Sequence, residues 1–448
     1  MSADLIARGL AAKTREQALK SANTMALIRA VRENGGFVQP SSNLAADNTP
    51  TIVLGTNAAV SSINGAAART AMVPRSDARL TYVSGIPMQS GTTYPRDAYF
   101  TSRGAYYGAA SAGGAALRAT SYFAYEFVHT GTVFEIPIYG GGGGAGVNLR
   151  IQVNGAVAGT ASIPNSTGGL YYVRIEFPVA GKRQIRVETS GLGCNGVHVA
   201  SSAEISSTGK IYPIVTMIGD SFLEGSGSET GDIGATVMAR ALGFNAAVAG
   251  VGATGLINPG NTNTAGFPKV SFTDTVRLQD LTLAGVSSAH TATSTAPRLG
   301  LVFGSVNDNA LAAAVYNPFG STLQAAINNR AHAIIDAWLA ACAGRPLVLF
   351  GPIWPSGAPN NRPPPDIYRI RDGLAEAAWS RSGQNIWFID RLTMPRREGV
   401  YSTASDQASL YTGGAAGTDP THPTPAGHRH DGLQDAAQLR RLILTELA

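Results

Sequence analysis

Along the 448 residues of the chain the spacing of apolar positions changes twice. From about Ser2 to Glu33, Leu5, Leu10, Leu19, Met25, Leu27, Ile28 and Val31 lie among good helix formers, and Gly35-Gly36 ends the run. This spacing predicts an N-terminal helical arm, or an oligomerisation element that joins copies of the chain into a homo-oligomer. From Phe37 to about Thr70, Ser, Asn, Ala and Pro dominate with little periodicity, which reads as a linker or an irregular extended stretch. Between about Ala71 and Ser207 come short runs rich in β-branched and aromatic residues: Ser121–Val128, Thr132–Tyr139, Asn148–Val153, Leu170–Phe177 and Arg183–Thr189. Turn residues at Gly140–Gly144, Asn154-Gly155 and Gly181-Lys182 separate them, so an antiparallel β-sandwich or jelly roll is expected. Arg150, Gln152 and Asn154 alternate with Ile151 and Val153, the pattern of a strand with one wet face.

After Tyr212 the pattern changes again. Near-continuous apolar runs at Ile214–Ile218, Leu299–Phe303, Leu347–Phe350 and Ile386–Ile389 alternate with helical stretches at Ile233–Leu242, Leu323–Ala341, Ile367–Ser380 and Pro425–Leu447. Strands apolar on both faces, separated by helices, imply an α/β unit with a parallel sheet covered on each side. Catalytic groups of such sheets gather at the carboxyl ends of the strands. The chain divides into residues 1–70 (arm and linker), 71–207 (β region) and 208–448 (α/β region), as its length leads one to expect.

Composition changes this picture only by exclusion. Hydrophobic residues make up 44% and charged residues 14%, with 53 glycines and 24 prolines, which fits a folded, loop-rich protein rather than a disordered one. The net charge of +5 is spread without a block of like charges, so no nucleic-acid partner is indicated. No window is apolar over the roughly 18 residues a membrane span needs. Charged residues from Asp4 to Lys20 leave no apolar core for a secretory signal peptide at the N-terminus. Cys194 and Cys342 lack any ligand-like spacing, so two unpaired, mostly buried thiols are expected rather than a disulfide framework or zinc site.

Four segments carry candidate chemistry. The strand Ile214–Ile218 runs straight into Gly219-Asp220-Ser221, which lifts a serine hydroxyl to the sheet edge as a nucleophile; the competing reading is a helix N-cap. Near the C-terminus, Asp419-Pro420-Thr421-His422-Pro423 places an acid three residues before a histidine in a proline-stiffened turn. The acid can bind one ring nitrogen while the other faces a serine, whereas the plainer reading is a capping Asp in a surface turn. At the end of another apolar strand, Gly304-Ser305-Val306-Asn307-Asp308 offers an amide donor for a developing oxyanion, or an Asx-turn. The run Asn245 to Gly255 contains glycines whose backbone N–H could approach a substrate oxygen, or which merely make turns.

In this order the four segments resemble the SGNH (GDSL) hydrolase family over residues 211 to 448. The resemblance implies a flavodoxin-like three-layer domain and a triad of Ser221, His422 and Asp419. The oxyanion hole would consist of the Ser221 N–H, the Asn307 amide and the N–H of Gly250 or Gly252. Gly250 fits by its distance from Asn245, Gly252 by the Gly-x-Thr that follows, and the latter is slightly favoured. No metal or cofactor is implied. A β module ahead of such a domain is similar to carbohydrate esterases that remove O-acetyl groups from polysaccharides, with Trp354 and Tyr368 as candidate sugar-stacking aromatics. Lipases and thioesterases of the same family are the alternative. The N-terminal arm without a signal peptide is also similar to phage tail or tailspike proteins that deacetylate host glycans, so action outside the cell or on a virion is expected.

Overall fold

The protein is described from a computed structural model that covers residues 22–35, 44–55, 60–66, 72–74, 77–87, 99–100, 122–139, 147–163, 170–190, 196–225, 233–260, 270–283, 296–354, 363–393, 422–423 and 425–447. In chain order the strands are β1 (Thr51–Leu54), β2 (Val73–Pro74), β3 (Thr81–Ser84), β4 (Ile86–Pro87), β5 (Tyr99–Phe100), β6 (Tyr122–His129), β7 (Val133–Tyr139), β8 (Val147–Val153) and β9 (Ala156–Ile163). They continue with β10 (Leu170–Glu176), β11 (Arg183–Ser190), β12 (Gly196–Val199), β13 (Ile205–Ser206), β14 (Ile214–Gly219), β15 (Asn245–Gly250), β16 (Leu299–Phe303), β17 (Leu347–Phe350) and β18 (Ile386–Ile389). The helices are α1 (residues 22–33), α2 (Ser221–Glu224), α3 (Gly234–Leu242), α4 (Thr275–Thr282), α5 (Ala313–Tyr316), α6 (Leu323–Ala341), α7 (Pro365–Trp379) and α8 (Pro425–Thr445).

The four predicted parallel strands form with bounds within one residue of the sequence reading. They are joined by β15, so the parallel part runs in the order β18-β17-β16-β14-β15. In chain order this is 5-4-3-1-2, the flavodoxin-like arrangement, and its topological switch point lies between β14 and β16. One face of the sheet is covered by α1, α3 and α8 through Leu27, Val31, Met238, Leu242, Leu439 and Ile443. The other is covered by α4, α6 and α7 through Leu281, Ile334, Trp338, Ile370 and Leu374. Cys342 is a buried free thiol, pushed up to about 11 by burial; Cys194 lies outside the described residues.

The β region contains two antiparallel sheets around one core. Phe134, Ile136, Val173, Ile175 and Val197 come from the five-stranded sheet β1-β10-β7-β12-β2. Tyr125, Phe127, Leu149, Ile151, Ile185 and Val187 face them from β6, β8 and β11. The second of these sheets does not end at the region's border. β3 pairs antiparallel with β6 and parallel with β15, so one sheet of eleven strands passes through both regions.

Three expectations change here. The stretch read as a linker supplies β1, a half-exposed strand whose pairing with β10, rather than any apolar period of its own, makes it extended. The last part of the N-terminal helix is packed rather than a free arm: Leu27 and Val31 are fully buried in this chain's own core, and Asn23 Nδ2 donates to the Arg298 carbonyl at 2.8 Å. Residues 1–21 lie outside the described residues. Finally, the polar face of β8 is not wet. Gln152 is only 4% exposed, and Arg150, Gln152 and Arg240 of α3 converge on fully buried Glu188 of β11. Burial alone would raise the Glu188 pKa, but the guanidiniums of Arg150, Arg240 and Arg186 outweigh it and bring the carboxyl down to about 2.

Two consequences are testable. Glu188→Ala leaves buried guanidiniums uncompensated and is expected to cost about 3 kcal/mol of stability. Because the folded pKa lies below the ordinary 4.5, the charge contribution is full above about pH 4.5 and is lost as pH falls toward 2. The melting-temperature gap between wild type and variant should therefore narrow from pH 6 to pH 3. A fragment of residues 208–448, stripped of β3 and the Glu188 partner of Arg240, should show no cooperative melting transition; a sharp one would mean that the regions fold separately.

Candidate active site

β14 delivers Ser221 to the switch point. Gly219 ends the strand where a Cβ would meet Leu223 at 2.9 Å, and the chain then turns directly into α2. Asp220 is the N-cap: its Oδ1 accepts the Phe222 N–H at 3.0 Å. The capping role weighed for the serine thus falls to its neighbour, and Ser221 stands as the first helical residue with 8% exposure. Asp220 itself is buried. Its pKa is raised by desolvation, opposed by the Ser305 hydroxyl and the Phe222 N–H.

The asparagine segment follows β16, across the switch point from Ser221. Here the turn is made by Ser305, whose Oγ accepts the Asn307 N–H at 3.0 Å. The same Oγ lies 2.8 Å from Asp220 Oδ2 and 2.8 Å from the Thr254 carbonyl, which ties the serine and asparagine segments together. Asn307 is half-buried and does not close an Asx-turn. One hydrogen of its amide goes to the Thr254 carbonyl at 3.1 Å, which fixes the amide's direction and leaves the second hydrogen as a donor. Asp308 is fully buried and accepts the N–H groups of Leu256, Ile257 and Asn258 at 2.7, 3.1 and 2.8 Å. Burial, opposed by those three donors and reinforced by the charge of Asp220, pushes its carboxyl up to about 6.

The segment read as a glycine loop is largely a strand. Asn245–Gly250 is β15, parallel to β14, with Gly250 opposite Gly219. The N–H groups of Asn245 and Val251 bond back to Pro213 and Gly219, so the alternation of a parallel strand directs the Gly250 N–H away from β14. Gly250 is required for packing: a Cβ there would lie 2.2 Å from the Glu224 nitrogen. The Gly252 N–H donates to Glu224 Oε2 at 2.7 Å in a buried setting. An N–H already held by a carboxylate is a poor partner for a second anion, so this arrangement counts against the favoured Gly252 as oxyanion donor.

His422 lies shortly before α8 in the chain. Its ring centroid lies 5.6 Å from that of Phe222, the residue after Ser221, so the serine and histidine segments meet in space. Asp419 lies outside the described residues. α8 is anchored by Arg391, which pairs with Asp435 at 3.2 and 2.9 Å and stands 5.2 Å over the Phe303 ring. Buried His428 accepts the Gly234 N–H at 3.4 Å. Beneath this junction lies a water-sized cavity of about 30 Å³, lined in part by Asp220, Phe222, Arg391, His428, Asp431 and Asp435. No group of metal-binding residues occurs among the described residues, and none of the described helices is long and apolar enough to cross a membrane.

Of the two aromatics expected near a sugar, Trp354 follows β17 and packs against the core on the α6–α7 side. Tyr368 is exposed on α7, with Arg371 5.2 Å from its ring centroid. Sequence reasoning missed Glu224, Ser305 and Asp308 as organisers of the site. The signal was available in part: Ser305 and Asp308 lie inside the asparagine motif, and Glu224 lies three residues after Ser221.

Neither a family model nor a curated protein sequence matches the chain. Solved structures do. A salicylyl-acyltransferase from a tetracycline biosynthetic pathway is 16% identical and superposes with a TM-score of 0.50 over 84% of this chain and 98% of its own. A family two carbohydrate esterase from Clostridium thermocellum is 15% identical, with a TM-score of 0.48 over 72% of this chain and 92% of its own. The aryl esterase of M. smegmatis is 17% identical, with a TM-score of 0.32 over 51% of this chain and 99% of its own. At this identity the likeness to the acyltransferase is one of fold: the chain shares its α/β architecture.

The geometry around Asn307 separates its two readings. Since Ser305 and Asp308 hold the turn, Asn307→Ala should leave the melting temperature within a few degrees of wild type. It should lower kcat for p-nitrophenyl acetate by roughly 10²–10³ with a smaller change in KM. Unchanged kcat in a destabilised variant would return Asn307 to a structural role.

Proposed function

We propose that this protein is a serine esterase that removes O-acetyl groups from a polysaccharide, with Ser221 as nucleophile, His422 as general base and Asp419 as its orienting acid. The observation that carries the reading is the meeting of Phe222 and His422 at the switch point, which sets the last motif of the chain against the nucleophile segment. Two segments so far apart in sequence, each ordinary alone, become a catalytic pair when they share the carboxyl edge of a parallel sheet.

The chemistry follows from the groups in place. Ser221 Oγ attacks the acetyl carbonyl while an imidazole nitrogen of His422 takes its proton, and Asp419 holds the other ring N–H and stabilises the imidazolium. The oxyanion is met by the Ser221 N–H, which points out of the first turn of α2, and by the second hydrogen of the Asn307 amide. Collapse expels the sugar hydroxyl, which regains its proton from His422. Water, activated by the same imidazole, then attacks the acyl-enzyme and releases acetate. The small acyl group follows from the resemblance of the chain to carbohydrate O-acetylesterases. A polymeric substrate is favoured by the β region, whose strands continue the sheet that carries Ser221.

The wild-type protein should hydrolyse p-nitrophenyl acetate faster than the octanoate and release acetate from at least one O-acetylated polysaccharide in a panel. Ser221→Ala should lose about 10³-fold or more in kcat while keeping its melting temperature. Turnover that survives in this variant would remove Ser221 from the mechanism, and a preference for octanoyl esters would point to a lipase.

A further inference from the structure

Glu224 is the last residue of α2 and is 5% exposed, a costly place for a carboxylate that a hydrolytic triad does not call for. Its Oε2 accepts the Gly252 N–H at 2.7 Å. The backbone of α2 lies so close to β15 at this point that only glycine fits at position 250, since an added Cβ would be 2.6 Å from Glu224 Cα. Beyond Gly252 the chain passes through Ala253, whose φ of 63° is left-handed and unfavourable for a residue with a side chain. It then reaches Thr254, whose hydroxyl donates to the Val251 carbonyl at 2.6 Å and closes the turn. The carbonyl of Thr254 is the acceptor that directs the Asn307 amide and also meets Ser305 Oγ.

From this chain of contacts we infer that Glu224 is a positioning residue, which holds the strained Gly252–Thr254 turn so that the Thr254 carbonyl aims the Asn307 amide at the oxyanion beside Ser221. The inference rests on the esterase reading above. The nucleophile's own helical turn thereby sets the direction of the donor on the neighbouring strand end, and both move as one unit. Without an acceptor at Glu224, the Gly252 N–H is orphaned in a buried place and the left-handed Ala253 loses the contact that keeps it there. The Thr254 carbonyl can then rotate, and with it the amide that must be in place before charge develops.

The experiment is a double-mutant cycle between Glu224 and Asn307 on the full chain, read with p-nitrophenyl acetate. Glu224→Met keeps the volume and removes the acceptor, with Glu224→Ala as a second, smaller variant. Each should lower kcat by about 10-fold or more with KM within about 2-fold, and by less than about 2-fold when Asn307 is already Ala. Glu224→Gln, which offers an amide oxygen to the same N–H, should restore kcat to within about 3-fold of wild type. Effects that multiply in full in the Asn307→Ala background, or a Gln variant as impaired as Met, would overturn the positioning role. Failure of the esterase reading would look different: Ser221→Ala would keep its turnover, whatever the cycle gave.

Discussion

Much of this site hangs on one buried carboxylate. Asp220 follows β14, caps α2 through the Phe222 N–H and lies 2.8 Å from the Ser305 hydroxyl on the next strand end. A charge in that position is tolerated because donors from two elements converge on it, although desolvation still raises its pKa. The cap releases Ser221 from a capping role, and Ser305 carries the link on to Thr254 and Asn307. In the Gly-Asp-Ser segment the aspartate is thus what makes the serine's position rigid, and the glycine is what lets Leu223 close over the strand end.

The second constraint is the shared sheet. β3 is a short strand, yet it joins the antiparallel β region to the parallel layer, with Gly85 donating to the Ala246 carbonyl at 2.7 Å. The buried cluster of Glu188 with Arg150 and Arg240 crosses the same border. A pair buried this deeply is costly unless its geometry is kept, so it punishes any displacement of one region against the other. The β region therefore acts on the site through rigidity. It fixes β15, on whose carboxyl end the Gly250–Thr254 turn is built.

The strands of the parallel layer were legible in the sequence because each is apolar on both faces and is bounded by polar or glycine residues. Leu299–Phe303 and Leu347–Phe350 fall where the pattern put them. β15 was not, because Asn245-Ala246-Ala247-Val248-Ala249-Gly250 is rich in small residues that carry no strand preference; it is extended because β14 and β3 pair with it. β1 and β3 were missed because each is only four residues long, too short to show a period of its own. The wet face assigned to β8 fails on an ambiguity of pattern: a polar row reads the same whether water or an ionic cluster covers it. At the site, the ends of β14 and β16 that carry Ser221 and Asn307 were legible as strand ends, and Asp419 lies outside the described residues. The burial of Glu224 was not legible, because a carboxylate three residues after Ser221 looks like surface until the fold covers it.

On the proposed reading, Ser221 is a nucleophile because His422 takes its proton. The most direct measurement is covalent labelling with a fluorophosphonate, mapped by peptide mass spectrometry in the wild-type chain and in His422→Ala. A single adduct on Ser221 is expected, forming rapidly in the wild type and slowed by orders of magnitude without the imidazole. An adduct on another residue, or labelling of Ser221 at an unchanged rate in His422→Ala, would contradict it.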